Sequence, residues 1–220
     1  MKISKRTSVR LVLLITALGV VFYPVFVWFG GVIFAWDKTL LFDIFPVFGL
    51  IAFSIMWLHI ISAPFKKILE RYFNFEKFLS ISSVVVLVSI ISHPLFMVIA
   101  FWARGVGGNA FSYVSVGKEY LVWIAITAWI IFIGYDIAKR FRRLLGEPRK
   151  MIAGGRNFFV RYWQTIKLVS TLGFFLILIH SLGIGRDLQG GTLQYVWIFY
   201  GTSAAIATFY TYVELCSDQD

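Results

Sequence analysis

Long apolar stretches separated by short polar connections run through the whole chain. A bilayer core about 30 Å thick needs about 20 apolar helical residues to cross it. Six stretches reach that length, so we expect transmembrane helices at about residues 9–34, 44–65, 78–102, 120–138, 162–183 and 194–213. The pattern predicts an all-α integral membrane protein, a six-transmembrane-helix bundle. In this interpretation residues 1–220 form one transmembrane domain with no soluble domain.

The composition supports a membrane protein over a soluble one. Residues of the set AVILMFWYC make up 59% of the chain and DEKR residues 15%, whereas soluble domains carry about 25% charged residues. The first stretch is too long for a cleaved signal peptide and no A-x-A site follows it, so we expect it to be retained. The single cysteine, Cys216, excludes an intramolecular disulfide and any CxxC site.

The basic residues are distributed unevenly between the two sides of the predicted bundle. Sixteen of the 21 lysines and arginines lie at or before the start of the first span, between the second and third, or between the fourth and fifth. Only Lys38, Arg104, Lys118 and Arg186 lie on the other side, and Lys167 alone falls inside a span. By the positive-inside rule both termini are cytoplasmic. We therefore expect a multi-pass protein of the inner (cytoplasmic) membrane.

The formal net charge of +10 would suggest nucleic-acid binding in a soluble protein. Here the basic residues are spread over three juxtamembrane segments, so we interpret them as topological signals that contact membrane lipid. No nucleic-acid partner is expected. The sequence also lacks GxxxxGK[ST], HExxH and GxGxxG, and phosphate-loop, zincin and dinucleotide chemistry have no support.

All three histidines fall inside predicted spans. An ionisable residue at membrane depth indicates a functional site, or else a neutral imidazole bonded between helices. Spans three and five run in the same direction; His93 lies about 22 Å along the third and His180 about 27 Å along the fifth. Both occupy the outer half, whereas His59 lies in the inner half of the second span. We therefore expect His93 and His180 to face each other.

Two facing imidazoles in an aromatic-rich helix bundle match the requirements of a haem b with two axial histidines. A zinc site fits less well, because no third or fourth His, Cys or carboxylate lies at that depth. Met97, one turn after His93, is an alternative axial ligand that we interpret as a packing residue. The predicted ligands of the haem iron are His93 and His180.

Two short runs carry a resemblance to a known family. The third span contains His93-Pro94-Leu95, and the fifth opens Trp163-Gln164-Thr165-Ile166-Lys167. Over about residues 40–215 the chain resembles the ferric reductase-like transmembrane domain family, which includes the membrane halves of NADPH oxidases and ferric reductases and the YedZ/MsrQ haem subunits. Its members use six helices with haem ligands on the third and fifth, and Pro-Leu often follows the outer third-helix histidine. The family's fifth helix opens W-x-x-L-H with a second histidine thirteen residues later, which is His180 here.

The chain departs from the family at the inner ligand positions. Lys167 stands at the first fifth-helix histidine, and Leu79 lies where two-haem members carry an inner third-helix histidine. The R-x-L-G run that often precedes the outer histidine is not recognisable. The resemblance therefore implies one haem b near the outer face and a candidate oxidoreductase component. It further implies a quinol or a cytoplasmic flavoprotein as electron donor, and an acceptor near the outer face.

Four further residues complete the predicted site. Arg104 and Arg186 follow the two ligand helices and are candidate partners of the haem propionates, or solvated loop residues. His59 and Lys167 share the inner half, where they line a quinone pocket or an inner cofactor site, unless Lys167 snorkels to the interface. The alternative function is a non-redox membrane protein, a small transporter subunit or assembly factor, whose histidines serve packing or proton relay. No pair of broken inverted repeats supports the transporter version.

Overall fold

Helices make up almost all of the described part of the protein. The computed structural model describes residues 5–31, 40–105, 117–144, 153–185, 188 and 191–217. Its helices are α1 (Lys5–Phe29), α2 (Leu40–Ser62), α3 (Lys66–Leu69), α4 (Phe75–Ala103), α5 (Glu119–Leu144), α6 (Ala153–Ile184) and α7 (Thr192–Ser217). Each predicted span corresponds to one long helix, and the four-residue α3 lies between the second and third spans.

Local signals explain where the helices differ from the predicted spans. Helix α1 ends at Phe29, short of the predicted 34, because Gly30 and Gly31 follow; the Gly30 N–H donates to the Phe26 carbonyl at 3.1 Å. The remaining predicted positions of that span lie outside the described residues. Helix α4 begins three residues early because Asn74 caps it, its side chain accepting from the Lys77 N–H at 2.8 Å.

Five segments of the described chain are long and apolar enough to cross a membrane. They are Arg6–Phe29, Leu40–Leu69, Phe75–Ala103, Glu119–Arg140 and Thr165–Ile184. Helix α7 has 26 residues but is not among the five, because its tyrosines and threonines make it less apolar than the others. The protein is therefore a helical multi-pass membrane protein, and the sixth crossing stays a prediction.

Helix α2 occupies the centre of the bundle. It packs against α1, α4, α6 and α7, while α5 packs mainly on α6. Six consecutive residues of α2, from 52 to 57, are buried. Because successive helical residues point about 100° apart, such a run is enclosed on every side. The other long helices each leave part of their apolar surface exposed, as lipid-facing helices do.

Stacked aromatic rings fill the core between α2, α6 and α7. The Phe53 ring stacks on Phe174 at 4.6 Å and on Trp197 at 4.7 Å between centroids. Tyr200 stacks on Trp57 at 4.2 Å. We call these five residues the aromatic stack. Phe53, Phe174 and Trp197 are almost completely buried, so this part of the bundle is solidly packed.

Polar side chains attach α7 to three other helices. The three hydrogen bonds are Trp57 Nε1 to Ser203 Oγ at 2.8 Å, Trp197 Nε1 to Ser181 Oγ at 3.0 Å, and Tyr200 Oη to the Val20 carbonyl at 2.9 Å. A glycine also permits close approach of α7 to α6, since a Cβ at Gly201 would lie 2.5 Å from Leu178 Cδ2. Small residues and interhelical hydrogen bonds are typical of helix packing in membranes. Helix α7 is thus an integral part of the bundle.

Candidate functional site

The imidazole of His93 projects from α4 onto the backbone of α2. Its Nδ1 lies 2.9 Å from the Phe45 carbonyl oxygen, and the Phe45 ring lies 5.1 Å from the imidazole. A carbonyl oxygen only accepts, so Nδ1 carries the hydrogen and Nε2 keeps its lone pair. Gly49 makes this approach possible, because a Cβ there would lie 3.1 Å from His93 Nδ1 and Cε1.

The imidazole of His180 is held in the same way by a different helix. Its Nδ1 lies 2.9 Å from the Leu121 carbonyl oxygen on α5. Here too the carbonyl accepts, and Nε2 keeps its lone pair. Gly183 lets α5 come close enough, since a Cβ at that position would lie 2.6 Å from Leu121 Cδ1. Each histidine is thus bonded to a neighbouring helix, and each bond is accompanied by a glycine at the contact.

His93 lies on α4 and His180 on α6. Their helices pack mainly on other partners, α4 on α2 and α6 on α5. Across the described ranges no hydrogen bond reaches the Nε2 atom of either ring. Two neutral imidazoles with Nδ1–H bonded to a backbone carbonyl and Nε2 available match the state of histidines that ligate metals.

These donors fit the group that the sequence suggests. A haem iron requires two axial nitrogens with available lone pairs in an apolar environment, and His93 and His180 supply that chemistry. Among the described residues no cluster of three or more His, Cys, Asp or Glu could hold a metal ion.

His59 makes a contact of a different kind. Its Nε2 lies 2.7 Å from Ser82 Oγ, and that hydroxyl donates to the Phe78 carbonyl at 2.7 Å. Since the serine hydrogen is committed to the carbonyl, His59 Nε2 acts as the donor. Its tautomer is therefore opposite to that of His93 and His180, and its Nε2 is not available as a ligand. This contact fits the alternative interpretation, a neutral imidazole bonded between helices, and so do the bonds of His93 and His180.

Of the two arginines and the lysine of the predicted site, the structure describes Arg104 and Lys167. Arg104 follows α4, and its guanidinium carbon lies 4.1 Å from the centroid of the Phe42 ring. Phe42 in turn contacts Phe45, which packs on His93, so Arg104 belongs to the surroundings of that histidine. Arg186 lies outside the described residues. Lys167 has an exposed side chain, as expected for a lysine that snorkels.

Sequence reasoning missed an acidic residue at membrane depth and a glycine at the site. Asp136 is buried near the inner end of α5 and forms an ion pair with Arg140, one turn later. The Asp–Arg spacing of four residues was a signal that could have found this pair. The role of Gly49 left no such signal, because its contact with His93 joins residues far apart in sequence.

Comparisons of this chain with models of protein families, with curated proteins and with solved structures find no match in any of the three. The resemblance to the ferric reductase-like family consequently stays a prediction. What can be argued about function comes from the residues and contacts described above.

Proposed function

We propose that this chain is a membrane haem b electron-transfer protein, with His93 and His180 as the axial ligands of a single haem. The observation that carries the proposal is the shared state of the two histidines. Both donate from Nδ1 to a backbone carbonyl at 2.9 Å, and both leave Nε2 without a hydrogen bond in the described chain. His59, in the other half of the bundle, has the opposite tautomer.

The surrounding residues would hold the ligands in place. A hydrogen bond from Nδ1–H to a carbonyl fixes the rotation of the imidazole and makes Nε2 a better donor to a metal. The bond acceptors belong to packed helices, so neither ring depends on a loop for its position. A haem held by His93 and His180 would supply one-electron transfer, and the two imidazoles would stay in place throughout. Arg104 is the described cation closest to this end of α4 and a candidate partner for a propionate.

The electron donor and acceptor in this proposal are those that the resemblance to the ferric reductase-like family implies. With both termini cytoplasmic, the histidine pair lies in the outer half of the inner membrane. Electrons would then come from a quinol in the bilayer or from a cytoplasmic flavoprotein, and pass to an acceptor near the outer face. A quinone site at the inner histidine has less support, because the described contacts of His59 are those of a packing residue.

A visible absorption spectrum of the purified protein tests the proposal directly. We expect a low-spin b-type spectrum that changes on reduction with dithionite, from protein expressed with an adequate haem supply. The matched control is His59→Ala, which alters an intramembrane histidine in the other half of the bundle. Purified, folded protein with no haem absorbance would overturn the proposal. It would favour the non-redox alternative, a transporter subunit or assembly factor with packing histidines.

A further inference from the structure

A cavity of about 350 Å³ lies at the opposite end of the bundle from the histidine pair. Two arginines of α1 line it, together with four residues around the connection between α3 and α4: Arg6, Arg10, Glu70, Phe73, Asn74 and Phe75. The charge distribution assigns this end to the cytoplasmic interface of the membrane. Neither the histidines nor the proposed haem uses these residues, so the cavity requires its own explanation.

The cavity presents several hydrogen-bond donors. Arg6 and Arg10 are one turn apart and lie on the same side of α1. Arg10 donates from Nε to the Tyr72 carbonyl, which leaves its terminal N–H groups available. Arg6 forms no hydrogen bond or ion pair with any described residue. Asn74 uses its side-chain oxygen to cap α4, so its amide N–H groups remain as donors. Guanidinium pairs of this kind suit a phosphate group.

The Glu70 carboxylate lines the cavity and affects which ligands can bind there. It lies 3.7 Å from Lys66, but the same lysine makes a closer contact with Glu76 at 2.7 Å. Glu70 therefore shares Lys66 with Glu76, and its carboxylate remains an acceptor beside the two guanidinium groups of the cavity. A ligand that carries a hydroxyl or an ammonium next to its phosphate would donate a hydrogen bond to Glu70. The headgroups of phosphatidylglycerol and phosphatidylethanolamine have such donors, and choline has none.

The adjacent surface of α1 is apolar and exposed. Leu14 and Leu18 follow Arg10 by one and two turns and are 56% and 49% exposed. This surface leads from the cavity into the predicted span, where it is available to an acyl chain. Phe73 and Phe75 add aromatic walls to the cavity. A lipid would use both the polar cavity and the apolar surface, whereas free phosphate would use only the first.

We propose that this cavity binds the headgroup of a membrane phospholipid. The phosphodiester would contact Arg6 and Arg10, and a headgroup hydroxyl or ammonium would donate to Glu70. Basic pockets between helices at the cytoplasmic interface are suited to such headgroups. The proposal concerns a defined site and is independent of haem binding.

Native mass spectrometry of the full-length protein in detergent tests the proposal. The protein is titrated with phosphatidylglycerol, phosphatidylethanolamine and phosphatidylcholine of identical acyl chains, and separately with inorganic phosphate. We expect the first two lipids to bind more tightly than phosphatidylcholine. Arg6→Gln should weaken phosphatidylglycerol binding by about tenfold, the effect of losing one charge-assisted contact. Glu70→Gln should reduce the preference over phosphatidylcholine.

The control is Lys67→Gln, which removes one positive charge from the same interface without altering the cavity lining. An equal loss in this variant would overturn the proposal in favour of general interface charge. Displacement of the lipid by equimolar inorganic phosphate would show that the site takes the free anion. Equal binding of the three lipids would contradict the role of Glu70. Arg6→Lys retains the charge that directs insertion, and it should still weaken binding if the guanidinium geometry matters.

Discussion

At the scale of single residues, the chemistry of the bundle depends on which nitrogen of each imidazole carries the hydrogen. The partners determine this: backbone carbonyls for His93 and His180, a serine hydroxyl for His59. A histidine that donates from Nδ1 to a carbonyl keeps Nε2 for a metal, and one that donates from Nε2 does not. The three histidines of the predicted spans therefore divide into two that leave Nε2 available and one, His59, that does not.

Replacing the histidines one at a time tests that division. His93→Ala and His180→Ala should each abolish the low-spin bis-histidine spectrum, because each removes an axial donor that no neighbour replaces. A five-coordinate, high-spin haem in either variant is consistent with loss of one ligand. His59→Ala should leave the low-spin spectrum largely intact. Loss of haem in His59→Ala together with retention in His93→Ala would show that the pairing is wrong.

Gly49 gives a second test at the residue scale. A Cβ at this position would lie 3.1 Å from the His93 ring, tighter than ordinary van der Waals contact. Gly49→Ala should therefore displace the imidazole, weaken its bond to Phe45 and destabilise the protein by about 1–3 kcal/mol, as overpacking does. The measurements are haem content per purified protein and thermal unfolding.

The matched control for this substitution is Gly134→Ala. Gly134 is also helical, but a Cβ there would meet nothing within 4 Å. Alanine should be neutral there or add up to about 1 kcal/mol of stability, because it is the better helix former. If both alanines lower haem content equally, the close contact at Gly49 is not what positions His93.

Sequence reasoning found the depth of these residues but not their partners. Depth follows from counting residues along a span at a fixed rise, which is a local property. The partners Phe45 and Leu121 lie 48 and 59 residues from their histidines. They depend on which helices pack together, and neither periodicity nor composition contains that information. The same reason explains why Gly49 was missed.

At the scale of elements, the helices were predictable because hydrophobic length is also local. Five of the six predicted spans correspond to helices apolar enough to cross a membrane. Their ends were less predictable, since the glycines after Phe29 and the cap at Asn74 determine them. For helix α7 the prediction to be tested is that it crosses the membrane.

The exposed aromatic residues of α7 favour a sixth crossing. Tyr195 near its start is 73% exposed, and Tyr210 and Tyr212 near its end are 59% and 57% exposed. Tyrosines prefer the two membrane–water interfaces. Helix α7 has 26 residues, about 39 Å of helix, which is enough to cross a bilayer core of about 30 Å. The hydrogen bonds to α1, α2 and α6 also place α7 within the bundle.

Reporter fusions test the topology that a sixth crossing requires. A reporter that is active only in the cytoplasm should be active when it is fused after Asp220. A reporter that is active only outside the cytoplasmic membrane should be active when it is inserted in the segment 103–118. The basic asymmetry of sixteen residues against four is the physical reason. A C-terminal reporter on the outer side would mean that α7 does not cross, and that the number of spans is odd.

At the scale of the whole molecule, the aromatic stack and His180 lie at different depths along the predicted membrane normal. Phe174, part of the aromatic stack, lies six residues before His180, about 9 Å further inward along α6. Phe53 of the stack contacts Phe174 and Trp197, and all three are almost completely buried. The close packing of the aromatic stack leaves no space for a flat macrocycle within the core that α2, α6 and α7 share.

Among the described residues, the half of the bundle that holds His59 contains no second pair of histidines. Its histidine, His59, donates to Ser82, and the residues at the two inner positions of the family pattern are Leu79 and Lys167. Leu79 has no donor atom, and the side chain of Lys167 is exposed. A second bis-histidine site would need two ligands that this region does not provide.

We therefore expect one haem b per chain. The ratio is measured by the pyridine haemochromogen method against protein concentration from amino-acid analysis, and it should approach one at saturating haem supply. A redox titration of the same sample should fit a single one-electron transition, and His59→Ala should leave both results unchanged. A ratio near two that falls to one in His59→Ala would show that His59 can exchange its bond to Ser82 for iron. After such an exchange the Ser82 hydroxyl could still donate to the Phe78 carbonyl. The contact between His59 and Ser82 would then not be the functional state of His59.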